Sequence, residues 1–158
     1  MRVGFGFDAH RFDESRGLVL GGVEVPGAPG LAGHSDADVL THAIADALMG
    51  AAGLGDLGTR FPPKLKWKDA SSLDILREVV AMLVSARSEI VNVDATVVAE
   101  RPRLADHRNA MTATLADALG ISEDEVSVKA TTTDGMGFTG RGEGIAAIAV
   151  ALVAPPSQ

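Results

Sequence analysis

Cysteine and tyrosine are both missing from the 158 residues. The first absence excludes disulfides and thiolate zinc sites, so any zinc ion must be held by His, Asp or Glu. Aromatic side chains make up only 4% of the chain, which leaves alanine and valine to fill a tightly packed core, one that suits continuation across subunits. Excess positive charge is missing too. The formal charge is −7, a poor match for nucleic acid or an anionic membrane, so a phosphate ligand must be held locally by metal, amides or single basic residues. No apolar run is long enough to span a bilayer, the longest being Ile145 to Val153, and nothing at the start reads as a signal peptide. The expectation is one cytoplasmic domain over residues 1–158.

What is present concentrates in one stretch. Gly33-His34-Ser35-Asp36-Ala37-Asp38, continued to His42 and Asp46, brings imidazoles, a hydroxyl and carboxylates into a few helical turns. Ser35 with Asp38 three places on reads as a capping box, so a helix is predicted from here, ending at Gly53 or Gly55. Leu40, Ile44, Ala47, Leu48 and Ala51 then form the core stripe, while Asp38, His42 and Asp46 follow one another at i, i+4 on another. A lone helical histidine is ordinarily exposed or hydrogen-bonded. Here the carboxylates one turn away on either side suit a metal-bound imidazole, which usually donates its second nitrogen to such a group. His34, placed before a helix start, has an anion such as phosphate as its natural partner.

Upstream, Arg2 to Phe7 alternates as a strand, with Gly4 and Gly6 leaving room for a close neighbour. That strand delivers Asp8-Ala9-His10, whose first and third residues share a face and offer an oxygen and a nitrogen ligand. With His42 they supply three ligands, the open form of a catalytic zinc site, although Asp-x-His alone carries little information. Residues 18–25 predict two short strands about a glycine turn, and 26–33 a loop with no visible chemistry. Glycines and prolines from Gly55 to Pro63 exclude regular structure and suggest a flap, followed by Lys64, Lys66 and Lys68, a basic cluster that suits solvent at least as well as substrate. Ser71 and Asp74 form a second capping box opening a scaffold helix to about Arg87; Val91 to Ala99 is a half-buried strand; Pro102 opens a further helix stopped by Gly120. Val126 to Ala130 is another strand, leading into a glycine-rich segment, Thr131 to Gly144, whose donors suit oxyanion binding as well as a plain hairpin. The last strand, Ile145 to Val153, is apolar on both faces and predicted central or interfacial.

Taken in order, Gly6-Phe7-Asp8-Ala9-His10, His34 to Asp38 with His42, Gly55-Asp56-Leu57-Gly58, Phe61-Pro62, Lys129 to Thr133 and Gly140 to Gly144 resemble the 2-C-methyl-D-erythritol 2,4-cyclodiphosphate synthase family over essentially the whole chain. The resemblance implies an α+β two-layer sandwich, a small mixed β-sheet covered by helices on one face. It implies a homotrimer with the sheets facing the threefold axis and active sites between subunits. Asp8, His10 and His42 match the family's zinc ligands, His34 and Thr132 its transition-state stabilisers, and Asp134 the holder of a second ion, magnesium or manganese. Substrate contacts match Ser35, Asp56, Leu57, Gly58 and Phe61. They also match Ala99, Glu100, Arg101, Pro102, Arg103, Leu104 and Ala105, with Thr131 and Thr133. Phe138 and Arg141, near Phe7, match a cavity on the trimer axis that can hold isoprenoid diphosphates, although Arg141 with Glu143 suits a plain interfacial ion pair equally well. The implied reaction is metal-assisted cyclisation of a cytidine-diphosphate methylerythritol 2-phosphate with release of CMP. Two departures stand out: Pro63-Lys64-Leu65-Lys66 replaces the family's acidic residues after the Phe-Pro pair, and Phe5 stands where some members carry histidine. Rival readings are a trimeric binder of metal and isoprenoid diphosphate without turnover, and a zinc hydrolase of another phosphoester.

Overall fold

The computed structural model describes residues 1–62 and 70–156. The Pro63-to-Lys68 segment and its basic cluster therefore lie outside the described residues. Strand β1 (Arg2–Leu20) turns at Gly21-Gly22 into β2 (Val23–Leu31), and both turn glycines have positive φ, 56° and 71°. That is the backbone a two-residue hairpin demands. Helices α1 (Val39–Ala52), the single-turn α2 (Leu57–Arg60) and α3 (Ser72–Ser85) follow. Then come β3 (Glu89–Val98), α4 (Arg108–Leu119), β4 (Val126–Thr131), the short α5 (Gly137–Gly140) and β5 (Gly144–Ala154).

The strands form one mixed sheet in the order β2-β1-β5-β3-β4, antiparallel except for β3 with β4, whose connection carries α4. The apolar run of β5 is central, as its composition predicts. On β1 the even positions Gly4 and Gly6 are buried against α1, while Val3, Phe5 and Phe7 are 69%, 65% and 52% exposed on the opposite face. A Cβ at Gly4 or Gly6 would lie 1.9 Å from the carbonyl oxygen of Ala47 or Ala43, so α1 rests directly on the strand's backbone. Ala147, Ala149 and Ala151 of β5 are fully buried alongside. Larger side chains of α1 fill the space around this contact; Leu40, Ile44 and Leu48 are each wholly buried, contributing about 1.5–3 kcal/mol apiece. No helix among the described residues is long and apolar enough to cross a membrane.

Several local expectations change. Helix α1 begins three residues later than the Ser35 capping box predicts, because Asp38 is the cap, accepting from Thr41 N at 3.0 Å. The predicted loop after Val25 is mostly strand, and the Gly55–Pro63 stretch holds a helical turn that Asp56 caps through Thr59 N at 2.8 Å. Asp74 pairs with Arg77 at 2.9 Å, so Ser71 opens α3 without a side-chain cap. Pro102 does not start a helix; α4 begins at Arg108, after a 3-10 turn over Ala105–His107. Gly53, with φ 71°, ends α1 as expected.

Candidate active site

Asp8 and His10 sit on successive even positions of β1, on the face that α1 covers, and His42 descends from the first turn of α1 to meet them. Asp8 Oδ2 lies 2.9 Å from His10 Nε2 and 3.0 Å from His42 Nδ1. The three potential ligand atoms are within 4.8 Å of one another, and all three residues are half-buried. His10 donates through one ring nitrogen, Nδ1, to a backbone carbonyl. Its Nδ1 is held by Ala32 O at 2.7 Å, whereas Nε2 is buried and not aligned with any hydrogen-bond partner despite its closeness to Asp8. A buried, unaligned imidazole nitrogen beside a carboxylate fits a cation seated between them. Two imidazoles and one carboxylate are the donor set zinc accepts, and the cavity leaves a side open.

Burial raises the Asp8 carboxyl, but its close contacts with the His10 and His42 rings outweigh it and hold the group well below the usual carboxylate range. His10 is raised from its ordinary value of 6.5, by its contact with Asp8 first, against burial. Asp46, one turn beyond His42, is raised chiefly by burial and accepts from Leu57 N at 2.8 Å. It thereby pins α2 beside the site. The Asp38 carboxylate plays no part with the His42 ring: it is fully buried and accepts from Gly21 N, Gly22 N and Thr41 at 2.7–3.0 Å. The carboxylates expected to orient His42 are thus replaced by hydroxyls. Its Nε2 lies 2.9 Å from Ser72 Oγ and 3.2 Å from Ser35 Oγ.

A cavity of about 330 Å³ opens over these groups, lined by Asp8, His10, His34, Ser35, His42, Asp46, Leu57, Gly58, Phe61 and Ile75. Predicted residues from four separate stretches of sequence thus meet here. His34 lies five residues ahead of α1, so its place comes from the preceding loop, not from the helix end. That loop is braced by Arg16, which donates to Gly33 O at 2.7 Å and also to Ser35 O. Asp56 turns to its own helix and does not line the cavity.

A second cavity, about 860 Å³, is lined by Glu100, Arg101, Pro102, Arg103 and Arg141 with Phe12, Glu14, Gly27 to Pro29 and Thr139 to Gly142. The stretch without visible chemistry, Gly27 to Pro29, is one of its walls. Glu100 Oε1 accepts from Thr133 N and Gly135 N at 3.0 and 3.2 Å, tying the Thr131–Asp134 turn to this rim. Ala99 and Leu104 are buried in the core. Thr132 and Asp134 are exposed, bonded to each other at 3.2 Å, and line neither cavity. Phe138 borders a shallower hollow with Ala9, His10, Arg11, Phe12 and Glu143. Arg141 and Glu143 pair within the chain at 2.6 Å.

The sequence profile of the YgbB family matches residues 1–154. The chain belongs to the YgbB family. Curated relatives called 2-C-methyl-D-erythritol 2,4-cyclodiphosphate synthase include one from Syntrophomonas wolfei, 56% identical over 97% of this chain and 98% of its own length. Another, from Salinibacter ruber, is 58% identical over 97% of this chain and 98% of its own. Among solved structures, the bifunctional IspDF from Campylobacter jejuni superposes with a TM-score of 0.95 at 40% identity, covering 99% of this chain, which spans 42% of that larger protein. The Plasmodium falciparum IspF in complex with CDP superposes with a TM-score of 0.86 at 32% identity, over 99% of this chain and 97% of that one. The YgbB assignment agrees with the synthase reading made from the spaced motifs, and the five-stranded mixed sheet is the fold these neighbours share.

Proposed function

We propose that this protein, a single cyclodiphosphate synthase domain over residues 1–158, converts 4-diphosphocytidyl-2-C-methyl-D-erythritol 2-phosphate into 2-C-methyl-D-erythritol 2,4-cyclodiphosphate and CMP, in cytoplasmic non-mevalonate isoprenoid synthesis. The observation that carries the reading is the meeting of Asp8, His10 and His42 beneath a cavity that also holds His34, Leu57 and Gly58. Asp8, His10 and His42 would hold a divalent ion, zinc by donor type, and Asp134 would help hold a second, magnesium or manganese; such ions supply positive charge to a diphosphate.

The bond changes stay within one substrate. An oxygen of the 2-phosphate bonds to the β-phosphorus while the bond from that phosphorus to the oxygen bridging toward the α-phosphate breaks, and CMP leaves. No water is consumed. The attacking oxygen is already ionised, so the protein needs no strong base; its work is alignment and charge stabilisation. His34 and Thr132 donate to the transferring phosphoryl group. Ser35, Asp56, Leu57, Gly58 and Phe61 hold the methylerythritol end. The cytidine diphosphate end takes the loop from Ala99 to Ala105 and the Thr131 and Thr133 turn, where a cavity rimmed by Arg101 and Arg103 suits a nucleotide.

Because Thr132 and Asp134 do not line the metal cavity of their own chain, the complete site draws them from a neighbour, which we read as a homotrimer. The exposed Val3, Phe5 and Phe7 support a sheet face turned to the threefold axis. Phe138 and Arg141 border the axial cavity suited to an isoprenoid diphosphate. Phosphorus NMR on the substrate with zinc and magnesium tests the proposal. Cyclic diphosphate with CMP is expected; no turnover would indicate a binding protein, and an acyclic product a hydrolase.

A further inference from the structure

We propose that Ser72 and Asp36 form a relay that fixes the His42 ring, making both of them positioning residues of the metal site. The inference rests on the reading of Asp8, His10 and His42 as a cation site. Ser72 is wholly buried at the start of α3, on a helix whose sequence suggests scaffold alone. Its hydroxyl has one proton, which it donates to Asp36 Oδ1. Asp36 is already committed as an acceptor, taking Ser72 N on Oδ2 at 2.8 Å and Asp38 N on Oδ1 at 3.2 Å. With its proton spent on Asp36, Ser72 Oγ can only accept from the ring nitrogen 2.9 Å away, which places a hydrogen on His42 Nε2. In the metal-free cluster Nδ1 donates to Asp8 Oδ2 at 3.0 Å; with the Nε2 hydrogen held by Ser72, the lone pair that a cation would take on displacing that proton is the one on Nδ1, turned to the cluster.

Ser35 offers the opposite assignment. Its Oγ accepts from Ala37 N and could donate to a bare Nε2, which would put the proton on Nδ1 and spoil it as a ligand. The shorter distance to Ser72, 2.9 against 3.2 Å, and the prior commitment of the Ser72 proton favour the relay. The same residues close a second link, because Asp36 N donates to Ala70 O at 3.1 Å. The loop bearing His34 is thereby fastened to the start of α3 on both its backbone and its side chain. A carboxylate acting through a hydroxyl on an imidazole extends the usual carboxylate–histidine–metal arrangement by one group.

Nitrogen-15 NMR of the zinc-loaded protein should show the His42 proton on Nε2; a ring bound to zinc through Nε2 overturns the assignment. Ser72→Ala and Asp36→Asn, each verified as folded by circular dichroism, should bind zinc roughly 10- to 100-fold more weakly in chelator competition, with Ser72→Thr staying near the parent. Should Ser72→Ala not fold, Asp36→Asn carries the same comparison. Undiminished zinc affinity in the folded variants overturns the relay, whereas a parent protein that takes up no zinc overturns the site reading beneath it.

Discussion

The carboxyl of Asp8 stays ionised deep in the acid range because two imidazoles outweigh its burial, and that same contact raises His10 above 6.5. In the metal-free protein the His10 contribution to stability is full below the ordinary histidine value and is lost as pH rises through the raised one. A metal ion needs the opposite state, an unprotonated ring. Zinc affinity should therefore climb as pH rises through the raised His10 value and fall below it, checked by competition titrations from acid to neutral pH. His42→Ala should release zinc and abolish turnover together while the fold persists; zinc retained at full stoichiometry would mean the ligand set is wrong. Asp8, His10 and His42 were legible in the sequence because a strand's period of two and a helix start place them without knowledge of the fold. Ser72 and Asp36 were not. Ser72 reaches Asp36 across 36 positions of chain, and a serine at a helix start looks like any capping residue.

At the level of elements, the site depends on how closely α1 lies on β1. Gly6→Ala would drive a methyl to 1.9 Å from Ala43 O, and the helix would have to lift. The expected loss is about 1–3 kcal/mol in denaturant titration, with weakened zinc binding because His42 moves away from Asp8. Asp38→Ala should also destabilise, by at least about 2 kcal/mol, since it strands the buried amides of Gly21 and Thr41 that now bond to it. The glycines of β1 announced a close neighbour in advance, and the alternations of β3 and β4 announced strands. The start of α1 was misplaced because Ser35, which looks like its cap, turns to Ala37 and His42; Ser71 does stand at the cap position of α3, although it makes no side-chain cap bond. Asp38 was misassigned to His42 because helical spacing says nothing of the Gly21-Gly22 turn that packs beside it.

For the whole molecule, the uncovered sheet face and the separation of Thr132 from the metal cavity make one testable statement about assembly. On the proposed trimeric assembly, His42→Ala and Thr132→Ala, each inactive alone, should regain activity when unfolded together and refolded as mixed trimers, to about a quarter of the sites for random equal mixing. No recovery in verified mixed trimers would place both residues in one chain's site. The α+β class came from the family resemblance, with which the alternating strands and amphipathic helices agree, but the order β2-β1-β5-β3-β4 was not legible, because pairing between the chain's two ends depends on contacts that periodicity does not encode. The alternation of β1 carries a last consequence. Its odd side chains face outward and its even ones face α1, so chemistry and association are kept apart only by parity. One residue inserted ahead of Asp8 would turn phenylalanines toward the helix and the metal ligands toward the exposed face, or else break the pairing with β5. Between Gly4 and His10 the number of residues is therefore as constrained as the glycines and ligands it spaces.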